Sequence, residues 1–507
     1  MLSVTLLVAI SPFLLGTFAL QKPLHQTDCC KVLQEAGIKH VLLPGNATYS
    51  KRVQSYWSLT SQLTPSCFVQ PENTEEVSAI VKSLVEKTKC EFSIRSGGHS
   101  SNACANNIEE GVTIDFGRMN GTSYDSATKI ASIQPAARWL RVYRTFDALD
   151  RGIQGGGIGS VGAGGLLLGG GFANYLYQRG LATDDIVNFE VVLANGSVVQ
   201  ANATSNKDLW RTLKGGGSGF GVVTRYDMET FDRLPIWSAS RQYNSSAETD
   251  EAHILGLKHW TDNPDALPSN YAYIWWTYRP AISQTIIIAE MGDTKSQANP
   301  PAVQEFLAIP DYISSNTGLT NMSTSAQATQ AEGYRNIWFT VTFKNDERVI
   351  RKAVDLHRRL VEDMKRDSSD GDFETQAYFQ PLPSIVGQRG AEKGGNTLGI
   401  DKLKDNAIVL LGSLAVNGID QEAMGRQKML AWRRTLEKYS DDVGAAVDYR
   451  YMNYADASQD VLASYGEDNL KTMLEVSRKY DPEGVFQTRA PGGYKLPWDY
   501  RKSPAGF

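Results

Sequence analysis

A histidine in a glycine-bearing turn, Arg95-Ser96-Gly97-Gly98-His99, is followed further along by a run from Gly155 to Gly171 in which ten of seventeen residues are glycine. An imidazole offers a nitrogen that can bond or move a proton, and glycines let backbone amides approach a ligand closely. A backbone of this kind suits a chain wrapped around a pyrophosphate, where amide dipoles supply the positive field without lysines. On its own, a histidine in such a loop reads as a turn residue.

A rival reading of the glycines is the dinucleotide fingerprint G-x-G-x-x-G, matched by Gly157-Ile158-Gly159-Ser160-Val161-Gly162, with Asp184 and Asp185 downstream where that motif wants an acid. The rival fails on context. The fingerprint must open a helix, yet the glycines at 164, 165, 169, 170 and 171 each cost a helix on the order of 1 kcal/mol relative to alanine, so the stretch is expected to be a poor helix.

The elements that must position His99 are legible upstream. Cys67 to Gln70 is short and rich in strand formers, and Val77, Ile80, Val81, Leu84 and Val85 come next at helical spacing. The pattern Asn73-x-x-Glu76 opens that helix as a capping box. Phe92 and Ile94 then alternate with polar neighbours, which predicts a strand with His99 on the loop just past its end, where chemistry tends to be placed.

These motifs, together with others further along the chain, resemble the vanillyl-alcohol oxidase and p-cresol methylhydroxylase superfamily, and within it the berberine bridge enzyme-like FAD-linked oxidoreductases that fungi secrete. The resemblance runs through Ser66-Cys67-Phe68-Val69, Arg95 to His99, Gly111 to Asp115, Val161 to Gly165, Gly169 to Gly171 and Ile186 to Glu190. It continues in Lys214 to Gly217, Phe220 to Val223, Tyr451-Met452-Asn453-Tyr454 and Asp481 to Phe486. It implies an α+β chain with a two-lobed FAD-binding fold and a substrate domain of antiparallel sheet plus helices. The segments become a signal peptide at 1–19, an FAD-binding domain at 20–235 with its core from about 63, a substrate-binding domain at 236–445, and a return to the FAD domain at 446–507.

The same resemblance implies FAD bound covalently through His99. The cofactor is expected to touch Arg95, Ser96, Gly97, Gly98, Ser100, Gly159, Ser160, Val161, Gly162, Gly164 and Gly165, and also Gly169, Gly170, Gly221, Val223 and Asn453. Relatives that attach flavin twice use a cysteine where this chain has Ile158, which points to His99 alone; Cys104, five residues beyond it, is the other thiol to consider. Proton abstraction falls to Tyr451, on a stretch similar to the tyrosine-bearing strand that faces the flavin in carbohydrate oxidases, with Tyr449 and Tyr454 as alternatives. Plant members use a glutamate on a neighbouring strand, and the corresponding stretch Ile408 to Leu414 has no acid. Val161 matches a position where a small valine leaves room for O2 beside the flavin. A bridge is implied from the Cys29-Cys30 pair to Cys90, written as Cys30–Cys90 with Cys29 the other candidate, leaving Cys67 and Cys104 free.

Composition agrees with an enzyme acting on a small molecule. At 507 residues the chain is too long for one ordinary core, and a net charge of −5 with both signs interspersed argues against nucleic acid or an anionic membrane as partner. Met1 to Leu20 carries no charge, is largely apolar, contains Pro12 and offers Thr17-Phe18-Ala19 for cleavage, which reads as a signal peptide and not a membrane anchor. Sequons at Asn46, Asn120, Asn195, Asn202, Asn244 and Asn321 fit the secretory route, although Asn195-Gly196 also reads as a tight hairpin turn. The histidines at 25, 40, 253, 259 and 357 lack metal-ligand spacing and no metal is expected.

The middle of the chain carries the aromatic strand Tyr271-Ala-Tyr-Ile-Trp-Trp-Thr-Tyr278, expected either to roof the flavin or to fill core, with the strand Ala407 to Val416 and a helix from Arg348 to Met364 behind. The expected activity is an O2-using oxidase releasing H2O2, acting on a secondary metabolite. The alternatives are an extracellular carbohydrate oxidase and, in a different class, a flavin-binding cyclase that uses the fold as a template without net redox turnover. Nothing in the sequence sets an oligomeric state.

Overall fold

The computed structural model describes residues 27–263, 268–327 and 332–497. The expected signal peptide at 1–19 and His25 lie outside the described residues.

The strand, helix and strand before His99 form as expected. Asn73 Oδ1 accepts the Glu76 amide at 2.9 Å, but the Glu76 carboxylate accepts the amide of Glu72 and not that of Asn73, so the expected capping box is half formed; the helix Thr74–Lys87 buries Val77, Ile80, Val81 and Leu84. Strands Cys67–Val69 and Phe92–Arg95 both pair in parallel with Val112–Asp115, all four residues of which are buried, and Val41–Leu42 closes the other edge. A strand covered on both faces has no need to alternate, and this central one does not.

A second, five-stranded antiparallel sheet takes Thr122–Asp125, Ile130–Ile133, Val222–Glu229, Ile186–Val192 and Val198–Asn202. Asn195-Gly196 turns the hairpin between Ile186–Val192 and Val198–Asn202, with Gly196 at φ +80 and the Leu193 amide donating to Ser197 O.

Between Ile236 and Val447 the chain builds one eight-stranded antiparallel sheet. Its centre is Gln284–Asp293, Asn270–Arg279, Phe373–Leu382 and Ala407–Val416, followed by Arg335–Lys344. Alternation along Asn270–Arg279 gives it two characters. Trp276 turns to the helices, its indole N–H donating to Asp250 of the helix Ala247–Asp262 at 2.8 Å, while the long helix Glu347–Asp367 buries His357 against Thr375 of the same sheet. Tyr273 and Trp275 turn the other way, and the Tyr273 hydroxyl crosses to Ala173 O at 3.3 Å. The aromatic strand thus supplies both core and lining.

Three expectations are corrected. The glycine stretch does make a helix, Ala163–Leu168, but only six residues long: three leucines in a row carry it and Gly169 ends it. Tyr451 to Tyr454 is not a strand; after the two-residue strand Ala446–Val447 the chain turns, with the Tyr454 amide on Tyr451 O at 3.0 Å. The cysteines form two bridges, Cys29–Cys90 and Cys30–Cys67, so Cys30 does not pair with Cys90 and Cys67 is not free. Consecutive residues of the helix Thr27–Glu35 point about 100° apart, so the pair reaches two different places, the strand Cys67–Val69 and the segment just before Phe92–Arg95. Cys104 remains outside either bridge.

The end of the described chain returns to the parallel sheet. Arg489 O accepts the Phe92 amide at 2.8 Å, its guanidinium donates to Leu84 O and Cys90 O, and Phe486 packs edge-on against Phe92. Asp481 fixes that return by accepting the amides of Val485 and Phe486.

Candidate active site

Where the loop after Phe92–Arg95, the glycine run and the turn at Tyr451 meet, they enclose a cavity of about 470 Å³. Its walls are Ser96 to Asn106, the glycines at 156, 157, 162, 164 and 165, Gly217 and Ser218, Gly221 to Val223, Trp338, Tyr451 to Ala455 and Pro491 to Tyr494. Among the described residues no Asp, Glu, Lys or Arg lines it. The polar character of the glycine wall therefore comes from backbone amides and carbonyls, the arrangement that holds a pyrophosphate by dipoles. Two glycines make that wall possible: a Cβ at Gly97 would run into the backbone of Gly162, and one at Gly162 into the backbone of Gly97.

His99 lies flat against Trp57, centroids 4.5 Å apart and 8° from parallel, and its Nε2 is 3.3 Å from Ser160 Oγ. Burial, reinforced by the Arg138 guanidinium, holds its pKa down at about 4. The ring is therefore neutral near pH 7 and keeps a nitrogen lone pair. Trp57 in turn meets Trp338 of the eight-stranded sheet edge-on at 5.2 Å, so the imidazole is braced through Trp57 against that sheet.

Tyr451 stands on the opposite wall, only 2 % exposed. Its oxygen accepts three hydrogen bonds: from the Gly171 amide at 3.1 Å, the Phe172 amide at 3.2 Å and Asn453 Nδ2 at 3.0 Å. Burial raises its pKa to about 12, and the three donors pull the other way, because each stabilises the phenolate. Asn453 also donates to Leu166 O, and it occupies the space a Cβ on Gly169 would take. The ring packs edge-on to Phe172 and Tyr454, both at 4.7 Å.

The expected cofactor residues divide into three groups. Ser96, Gly97, Gly98, His99, Ser100, Val161, Gly162, Gly164, Gly165, Gly221, Val223 and Asn453 line the cavity, as does Tyr451. Ser160 does not line it but touches His99. Arg95, Gly159, Gly169 and Gly170 stand behind the wall. Arg95 is fully buried, stacked 3.6 Å over Tyr56 and donating to Arg52 O and Ser55 O, so its charge pins the preceding turn and does not meet a ligand. Gly159 donates to Ala326 O, Gly169 makes room for Asn453, and Gly170, at φ +115, takes a backbone shape other residues resist. Tyr449 stacks on Tyr465 away from the cavity, whereas Tyr454 lines it.

The sequence reading missed Asn102, Ala103, Ala105, Asn106, Trp338 and Pro491 to Tyr494, while Cys104, weighed there as a second attachment point, does line the cavity. Pro491 to Tyr494 had a signal: a Cβ on Gly492 would overlap Cys104 O, so the Gly492-Gly493 pair marks a close approach to the loop after His99.

Residues 65–202 match the FAD binding domain family. The chain is 35% identical over 477 residues to the FAD-dependent monooxygenase drtC of Aspergillus calidoustus, covering 92% of this chain and 90% of that one. Among solved structures, the xylooligosaccharide oxidase of Myceliophthora thermophila C1 in complex with xylobiose superposes with a TM-score of 0.73 at 20% identity, covering 92% of this chain and 99% of the other. The glucooligosaccharide oxidase of Acremonium strictum, described as carrying a 6-S-cysteinyl, 8α-N1-histidyl FAD, gives 0.72 at 19% identity, with 93% and 98% covered.

Proposed function

The chain belongs to the FAD-dependent oxidoreductases that carry the FAD binding domain, and from that membership we propose that it is a berberine bridge enzyme-like oxidase of a small, largely apolar organic substrate, with FAD joined to His99 and with Tyr451 as the base. The glycine wall fits the cofactor: it lets backbone approach closely, and it offers amide dipoles without competing side-chain charge. When bound, FAD supplies a two-electron acceptor that is restored by O2 with release of H2O2.

The protein's own residues would divide the remaining work. Neutral His99, braced by Trp57 and close to Ser160, has the lone pair needed for a covalent bond. Tyr451, as the phenolate, takes the proton from the substrate's reacting carbon or hydroxyl and becomes a neutral phenol, and its three donors stabilise that phenolate before the substrate arrives. That converging trio at one buried phenol oxygen is the observation on which the reading rests. Val161, half-buried on the cavity wall, is the side chain assigned to O2 access.

Secretion forms part of the proposal. Two disulfides and the exposed sequon positions Asn46, Asn195 and Asn244 support it, while Asn120, Asn202 and Asn321 are partly buried and hydrogen-bonded, which makes them poorer acceptors of a glycan. Among the described residues no helix is long and apolar enough to cross a membrane.

The test is acid denaturation of the purified protein followed by flavin fluorescence in the gel band, in parallel with His99→Ala. Fluorescence in the wild type and its loss in the variant is the expected result; fluorescence retained by the variant shifts attachment to Cys104. Peroxide released on oligosaccharides but not on apolar alcohols would favour the carbohydrate oxidase, and product formed without O2 or flavin reduction would favour the template cyclase.

A further inference from the structure

The face of the eight-stranded sheet that carries Trp338 also carries, beyond the residues lining the cavity, an acid that the proposed chemistry does not use. Glu290 lies on Gln284–Asp293, directly opposite Tyr273 on one neighbouring strand and Ser240 on the other. Cross-strand partners share a face, so Glu290 is on the side from which Tyr273 reaches Ala173, one residue beyond the Phe172 amide that holds Tyr451. The rest of that face is aromatic: Tyr271 stacks on Tyr273, Tyr273 meets Tyr378 at 6.1 Å, and Tyr378 packs with Trp338 and Tyr454 beside the cavity.

Among the described residues the Glu290 carboxyl has neither a hydrogen bond nor an ion pair, and no cation acts on it; the charges that sense it are the phenols of Tyr271, Tyr273 and Tyr378. Two further polar atoms on the same face are buried without a partner, the Tyr271 hydroxyl and Gln380 Oε1. Gln380 itself is 3 % exposed and spends its amide on Tyr378. Unpaired buried polar atoms in an aromatic wall favour a ligand that supplies their partners.

We propose that Glu290 is a specificity-determining residue: it hydrogen-bonds a neutral hydroxyl or carbonyl oxygen of the substrate, on the part of the molecule remote from the carbon that reacts beside Tyr451. Burial with no compensating cation pushes the carboxyl pKa up, which disfavours its charged form and suits an uncharged oxygen function. The absence of a nearby cation equally disfavours a carboxylate or phosphate on the substrate. The aromatic neighbours take its apolar body.

This inference rests on the oxidase reading above, and its test is separable from it. Holoenzyme with bound flavin confirmed by absorbance is titrated with 4-hydroxycinnamyl alcohol and with 8-hydroxygeraniol, each against the parent alcohol lacking the remote hydroxyl and the analogue with an amine in its place. Binding is read from the flavin spectrum and from the melting temperature. The wild type is expected to bind at least one of the two diols 10-fold or more tightly than its parent alcohol; Glu290→Leu should erase that difference, and Glu290→Gln should keep most of it with unchanged flavin content. Glu290→Gln also serves alone if Glu290→Leu fails to fold: a loss of discrimination as complete as that expected for leucine would overturn the neutral hydrogen-bond role. No discrimination in either pair of the wild type, including failure of both diols to bind, overturns the proposal, as does a preference for the amine. A protein that contains no flavin would instead count against the oxidase reading.

Discussion

At the scale of single residues, the chemistry turns on how the surroundings of His99 and Tyr451 set their protonation. The three donors to Tyr451 oppose its burial only in part, so the base works from a small ionised fraction. Flavin reduction followed by stopped flow is therefore expected to accelerate with pH, by about tenfold per unit while the pH stays below a phenol pKa of about 12. A rate that is flat between pH 6 and 9 would remove the phenol as base. Tyr451→Phe should slow reduction by two or more powers of ten without altering the bound flavin spectrum. Val161→Leu should slow reoxidation by O2 while sparing reduction; equal reoxidation rates would detach Val161 from oxygen access.

At the scale of elements, the sequence disclosed what repeats and concealed what depends on distant partners. The helix Thr74–Lys87 and its Asn73 cap come from spacing alone, and so does the Asn195-Gly196 hairpin. The helix Ala163–Leu168 was hidden because glycine cost was weighed without its three leucines, two of which, Leu167 and Leu168, are buried. Arg95 reads as a ligand from its place beside the histidine, and only the fold shows that Tyr56 and two carbonyls absorb it. The second bridge is likewise a tertiary fact, since nothing local tells Cys30 to choose Cys67. It closes a loop with a sequence separation of 37, which chain entropy values at about 4 kcal/mol. Replacing both cysteines by alanine should lower unfolding free energy by about that much in a urea titration, while flavin attachment at His99 persists. Gly169→Ala should displace Asn453 from Tyr451 and slow reduction about tenfold with the flavin retained.

At the scale of the whole molecule, buried neutral histidines make stability depend on acidity. Burial holds His253 at about 4 and His357 at about 3, against 6.5 when unfolded. Because the folded values are depressed, their contribution is fully present above pH 6.5 and is lost as pH falls towards 4, where the unfolded chain binds protons the folded one refuses. The loss should reach a few kcal/mol for each ring by pH 4, visible as falling urea midpoints at pH 7, 6, 5 and 4. His357→Asn, retaining a partner for Thr375, should flatten that slope; an unchanged slope would assign the acid sensitivity elsewhere.

The cavity also has a consequence in time. Its walls come from the loop after Phe92 and the glycines around Gly165, and equally from Tyr451 and Tyr494 near the far end of the chain. A ribosome adding about 5–20 residues per second delivers the second set tens of seconds after the first. During that interval the histidine loop and its glycines are made but have no opposite wall, so the nascent chain cannot enclose its cofactor, and loading must wait until translation is nearly complete.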